Sequence, residues 1–288
     1  AWFATGRQPC YNAALIGELS MIARVRELVC YRELIRNLVI RDLKVRYKGS
    51  ALGFLWSLLN PLLMTAVFTV VFTVMLPQNI ANFPVFFMAG FLPWTFLSSS
   101  VLGGTSSIVR NSHLIKKVYF PREILPLAEV LSNLVNFLLA MIVLFGLVIA
   151  SGVPITPAVL MLPLIVLAQL AFTLGIAMIL STANVFYRDT QHIMEVVMQA
   201  WFFLTPIFYS IDRLPSDAHL LGIVIDVRLW ARRLNPMASL VASYQDVLYW
   251  GEFSGLDFFL RTFVTCVLVL LIGYVVFCRF SSVFGEET

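Results

Sequence analysis

An all-α integral membrane protein with six transmembrane helices is the fold class this sequence predicts, and three observations predict it. First, 60% of the 288 residues are hydrophobic and 12% are charged, with a mean hydropathy of +0.88, where a soluble domain carries about 45–50% and about 25%. So few charged groups cannot cover that much apolar surface in water, which excludes a soluble enzyme and a disordered chain. Second, six apolar stretches meet or approach the roughly 20 residues needed to cross a bilayer core about 30 Å thick. Third, Lys and Arg are sorted by side: 15 of the 20 fall on one face if the N-terminus is cytoplasmic.

The elements follow in order. Residues 1–53 form a cytoplasmic arm with nine basic residues and no sustained apolar core, so no signal-peptide pattern is read there. Within it Leu28, Tyr31, Ile35, Leu38 and Val39 recur at helical spacing, with Arg26, Glu33 and Arg36 around the rest of the circumference. This is the pattern of an amphipathic helix lying in the inner membrane interface. Arg41, Lys44 and Lys48 continue on one face and would meet anionic lipid headgroups, or form a solvated charged face. The transmembrane domain occupies 54–279, with spans at 54–76, 84–106, 127–150, 158–184, 193–210 and 257–279. The fifth is short and contains Pro206. An inner loop at 107–126 and an outer segment at 211–256 are long enough to fold, whereas the links 77–83 and 151–157 carry no charge. A tail at 280–288 returns to the cytoplasm.

Several chemistries are missing. No lysine follows a glycine in a phosphate-binding loop, and neither a G-x-S-x-G elbow nor an H-E-x-x-H pair occurs. Cys10, Cys30, Cys266 and Cys278 form no C-x-x-C pair, and Cys266 and Cys278 read as packing residues. The histidines, His113, His192 and His219, are scattered at predicted membrane edges. The midplanes of all six spans lack Asp, Glu, Lys and Arg, so a proton-coupled carrier is disfavoured and the energy for transport must come from elsewhere. Glu129 and Glu195 lie shallow in spans three and five. Such carboxylates read as interhelical partners for Arg or backbone, with a functional role as the alternative. The small residues between Ser98 and Thr105 favour close helix packing over a polar pathway.

Local motifs then become recognisable. The run Arg41-Asp42-Leu43-Lys44-Val45-Arg46-Tyr47-Lys48, followed by Leu52-Gly53-Phe54-Leu55-Trp56 and Asn60-Pro61, resembles the entry to the first span of polysaccharide ABC exporter permeases. These subunits export O-antigen, teichoic acid and related glycans. Phe120-Pro121-Arg122-Glu123-Ile124-Leu125-Pro126, Asn184-Val185-Phe186-Tyr187-Arg188-Asp189, Thr205-Pro206-Ile207-Phe208-Tyr209 and Asn235-Pro236-Met237 continue the resemblance in order, over roughly residues 30–280. It implies a channel-forming permease, half of a homodimer, that moves a lipid-linked polysaccharide outward across the bacterial cytoplasmic membrane. Each copy would bind a separate ATP-binding cassette subunit, two per complex, which holds ATP and Mg; no cofactor, metal, catalytic residue or nucleic-acid partner is expected in this chain.

The resemblance also implies roles for residues. Loop 107–126 would be a coupling helix, with Arg110, His113, Lys116, Lys117, Arg122 and Glu123 for polar contact with the ATPase. Segment 211–256 would hold a pair of short re-entrant or outer-interface helices. Phe68, Phe72, Trp201, Phe202, Phe203, Phe208, Tyr209 and Tyr244 are candidates to line the channel, since sugar C–H faces stack on aromatic rings. Trp94, Tyr249 and Trp250 are assigned instead to the interfacial belt. Two other readings stay open: the same architecture exporting a small amphiphile, or a membrane-embedded glycosyl- or acyltransferase using Asp226, Asp246 and His219.

Overall fold

A helix apolar on every side must be surrounded by protein or lipid on every side, and one helix in this chain is largely surrounded by protein. The computed structural model describes residues 29–50, 52–77, 80–118, 120–210, 218–220, 223–225, 235–253 and 255–287. Its central element is α3, Phe83–Arg110, with Phe86, Phe87, Leu92, Leu97 and Val101 almost fully enclosed. Before it come α1, Arg32–Tyr47, and α2, Trp56–Val70, which ends in a π turn at Val71–Met75. After it come α4, Ser112–Lys117; α5, Ile124–Ala150; α6, Leu162–Phe186; and α7, Thr190–Leu204. A two-stranded antiparallel ladder, β1 Ala218–Leu220 with β2 Ile223–Ile225, precedes α8, Pro236–Gln245, α9, Leu256–Phe280, and the short α10, Phe284–Glu287. Arg26 and Leu28 of the arm lie outside the described residues.

Small residues let the long helices touch. A Cβ on Gly104 would sit 2.8 Å from the Cβ of Ala177, so α3 and α6 meet closely there. This is the packing role expected for part of the Ser98–Thr105 cluster. At one end of the bundle, Leu38 of α1, Ile108 of α3, Phe120, Ile124 of α5, Val185 of α6, Phe277 of α9 and Phe284 of α10 form one apolar cluster. The arm, the inner loop and the tail therefore share an end.

Five helices among the described residues are long and apolar enough to cross a membrane. The fifth expected span, 193–210, is helical only as far as Leu204. At about 1.5 Å per residue, the 15 residues of α7 fall short of a core about 30 Å thick. Proline explains the stop: the residue before it is pushed out of helical geometry, and Thr205, preceding Pro206, is extended at φ −102°, ψ 132°. The chain beyond leans on α3, where a Cβ on Gly90 would lie 3.3 Å from Ile207 Cα.

Helix α8 starts where α7 stops. Its cap, Asn235, accepts from Ala238 N at 3.2 Å and from Trp201 Nε1 at 3.0 Å, and donates to Thr205 Oγ1. It then continues through a π turn at Asp246–Trp250 to Gly251, whose carbonyl accepts from Thr156 Oγ1 in the link between α5 and α6. Segment 211–256 thus contains the short helix α8 among its described residues. In the same segment Ala218–Leu220 and Ile223–Ile225 pair as strands, in keeping with the β-branched run Ile223-Val224-Ile225, and most of 211–234 lies outside the described residues.

Amide and phenol side chains lock α8 in place. Tyr244 donates to Gln169 Oε1 at 2.7 Å, and Gln169 donates onward to the Pro93 carbonyl at 2.7 Å, joining α8, α6 and α3. Gln245 donates to the Pro206 and Ile207 carbonyls just beyond α7. Tyr244→Phe leaves a buried amide oxygen without its donor and is expected to cost about 1–3 kcal/mol. Thermal unfolding in detergent measures this, and adding Gln169→Leu should restore part of the loss.

Candidate functional site

Helices α1, α3 and α5 meet around a single buried carboxylate. Glu129 is about 5% exposed and lies against Gly103, where any Cβ would collide with it. It receives the Arg110 guanidinium from α3 in a short ion pair and Arg46 from α1 at 3.5 Å. Arg46 Nη1 also donates to Asn133 Oδ1 at 2.8 Å, and Asn133 donates back to the Glu129 carbonyl at 3.0 Å. Glu129 is therefore the interhelical partner its shallow position suggested. Glu195 is different: it is about half exposed, 3.7 Å from the solvated His192.

Beside this knot lies a cavity of about 360 Å³ between α2, α3 and α5. Arg46, Ser57, Asn60, Thr95, Ser99, Asn133 and Asn136 supply its polar wall, and Trp56, Phe91, Phe96 and Phe137 its aromatic one. Sequence reasoning did not single out Arg46 or this cavity. The available signal was the shallow Glu129, which called for an arginine, but spacing alone does not say which one.

Further from the arm, aromatic rings form a continuous ladder. Phe91 stacks on Phe87 at 5.0 Å, Phe87 on Phe68 at 4.5 Å, and Phe72 on Phe208 at 5.2 Å, with Phe202 joining Phe68, Phe91, Trp94 and Phe208. Phe203 and Tyr209 extend it beyond Phe208. The structure thus brings together Phe68, Phe72, Trp201, Phe202, Phe203, Phe208 and Tyr209, all proposed from sequence. Tyr244 does not belong with them: it is completely buried and stands as a strut between α8 and α6. Trp94 is also enclosed, packed on Trp201, rather than part of an interfacial belt. The belt reading suits Trp250, which is 55% exposed. Its neighbour Tyr249 donates to the Ala81 carbonyl, and burial raises its phenol above the usual value.

The six residues expected in the coupling loop separate into two groups. His113, Lys116 and Lys117 project from α4 and are exposed. Ile115, Lys116, Lys117, Val118, Phe120 and Arg122 surround a hollow of about 260 Å³. Arg110 is half exposed but committed to Glu129. Glu123 is buried, with Cys278 Sγ 3.6 Å from its Oε1, and Arg122 abuts Gly285. Glu123 therefore ties the loop to the end of α9 and cannot reach another protein without rearrangement. On the arm, Arg41 pairs with Asp42 at 2.9 Å and reaches Asn111, while Lys44 and Lys48 remain exposed beside it along an open groove. Asp226 and the His219 side chain lie outside the described residues.

Comparison with known proteins gives a consistent set of likenesses. A family model described as ABC-2 type transporter matches residues 33–249. The O-antigen export system permease protein RfbA of Myxococcus xanthus is 44% identical over 229 residues, 80% of this chain and 85% of that protein. A protein of the same name from Klebsiella pneumoniae is 31% identical over 248 residues, 85% and 91% of the two chains. The capsule polysaccharide export inner-membrane protein CtrC of Neisseria meningitidis is 21% identical over 277 residues, 92% and 97%.

Proposed function

We infer the function from the premise that the chain belongs to the ABC-2 type transporter family, whose model covers three quarters of it. It is a multi-pass inner-membrane protein and the permease subunit of a polysaccharide exporter, as relatives named for O-antigen and capsule export support. The cargo is a lipid-linked glycan of the O-antigen kind. ATP and Mg are held by a separate ATP-binding cassette subunit, present twice, and two copies of this chain form the channel. The basic end of the bundle, with arm, α4 and tail, faces the cytoplasm, in accord with the positive-inside rule.

The aromatic ladder carries this reading within the molecule. It runs between α2, α3 and α7, and α2 and α7 also present uncovered apolar side chains, among them Leu63, Val67, Val70, Val196 and Leu204. A second copy laid against those helices would place two ladders face to face around one path. Rings offer C–H stacking to successive sugars without fixing a register, which suits a polymer that must slide. Deleting the gene in its host should abolish surface polysaccharide and leave glycan inside the cell; polysaccharide still reaching the surface overturns the reading.

The coupling surface has its own test. Lys116→Glu with Lys117→Glu reverses two exposed charges on α4, in the turn that ends the helix. The pair should lower co-purification of the ATPase by roughly tenfold, equivalent to about 1.4 kcal/mol, while the permease keeps its elution profile. Undiminished ATPase recovery places the docking surface elsewhere.

A further inference from the structure

We propose that the cavity beside Arg46 binds a sugar phosphate, the phosphorylated glycoside through which a glycan is joined to its lipid; the proposal rests on the export reading and names a site for its cargo. The charge argument comes first. Glu129 neutralises only one of Arg46 and Arg110, so the knot keeps one net positive charge, carried on partly exposed guanidinium groups that an anion can reach. Arg46 spends N–H groups on Asn133 and Glu129, and a guanidinium has further donors to offer. Those two acceptors hold it at the cavity wall, so little freedom remains to be lost when an anion arrives.

The rest of the lining selects what accompanies the anion. Asn60, Thr95, Ser99 and Asn136 face the same space, and no carboxylate lines it among the described residues. Amides and hydroxyls of this kind match a ligand rich in hydroxyl groups. Trp56, 45% exposed, presents an indole at the mouth, a flat surface for the C–H face of a sugar. A volume of about 360 Å³ lies in the range of small-molecule sites, roughly 300–1,000 Å³. It suits one terminal unit rather than a length of polymer. Arg46 and Ser50 place the opening where the arm meets the first span. Phe91, which also lines the cavity, is a rung of the aromatic ladder, so a unit held here touches that ladder.

Phosphate esters reach this depth of the membrane from two sources, the cargo and anionic phospholipid headgroups, and the experiment separates them. The full chain in phosphatidylcholine nanodiscs is titrated with glucose 1-phosphate, followed by tryptophan fluorescence and calorimetry. Saturable binding is expected. Arg46→Gln should weaken it by about tenfold or more, as the loss of a charge-assisted hydrogen bond does, and Arg46→Lys should retain more affinity than Arg46→Gln. Asn60→Leu, on α2 and outside the ion-pair knot, provides a variant whose effect does not pass through the arm; it should also weaken binding. Glucose and glycerol 3-phosphate are the comparison ligands. The proposal is overturned if the wild-type protein shows no saturable binding, if glucose binds equally well, or if glycerol 3-phosphate does, which would assign the cavity to membrane lipid. Equal binding by wild type, Arg46→Gln and Asn60→Leu also overturns it. Surface polysaccharide is scored separately: export persisting without the gene removes the export reading even where glucose 1-phosphate binds, and export lost without such binding removes only the site.

Discussion

Gly273→Leu is expected to abolish the folded protein. Helices α6 and α9 form the most extensive pairing in the chain, and two glycines let their backbones touch. A Cβ on Gly175 would lie 2.6 Å from the Val269 carbonyl oxygen, and one on Gly273 would overlap the Gly175 carbonyl. Overpacking a core usually costs about 1–3 kcal/mol, because neighbouring side chains give way. Here the obstacle is main chain on both sides, so the helices must separate, and without water to drive apolar helices together their contacts are what hold them. The readout is the yield of monodisperse protein in detergent. Gly146→Ala on α5 is the control, since nothing lies within 4 Å of its added Cβ. It should equal wild type or exceed it; folded Gly273→Leu in normal yield would contradict the observed crossing.

Glu129→Leu should produce the next largest effect, and one that reaches beyond stability. Removing one partner of a buried ion pair costs about 3–5 kcal/mol because the other charge is stranded. The guanidinium groups of Arg46 and Arg110 are 36% and 51% exposed, so each can turn towards water. A loss of about 2 kcal/mol is therefore expected, below the fully buried figure. The carboxylate is also what fastens α1 to α3 and α5. Protease accessibility of the arm should rise in Glu129→Leu while α6 and α9 remain protected. An arm that stays as resistant as in wild type would mean that Leu38 and its apolar neighbours hold it unaided. Glu129→Gln, which keeps the shape and loses the charge, separates the two contributions.

Hydrophobic run length made five of the spans visible from sequence, and Pro206 marked the weak end of the remaining stretch, 193–210. Charge placement made the shared end of arm, inner loop and tail visible too. Depth within the protein was less legible. Trp94 and Tyr244 have the composition of belt and channel residues, yet Trp94 packs on Trp201 and Phe202 of α7, and Tyr244 is held inside the bundle by Gln169 of α6. Nothing in a linear pattern announces which side of a helix a re-entrant segment will occupy. The arm shows the same limit. Arg41, Lys44 and Lys48 share a helical face and were legible as a group, whereas Arg46 lies off that face and points to Glu129, 83 residues away. Glu123 reads as an accessible loop charge until the end of α9 is seen packed against it at Cys278.

The enclosure of α3 also bears on the order of assembly. α3 is among the first long helices to leave the ribosome, yet part of its wall is α8, with Val241 and Gln245 closing over Gly90 some 150 residues later in the chain. Contacts so distant in sequence form late and slow the search for the native state. Until α8 arrives, the part of α3 around Gly90 must be screened by lipid or by an insertion chaperone. A chain stopped after α7 would then be a substrate for membrane proteases, and the time between synthesis of α3 and of α8 becomes the interval in which this protein is most exposed to degradation.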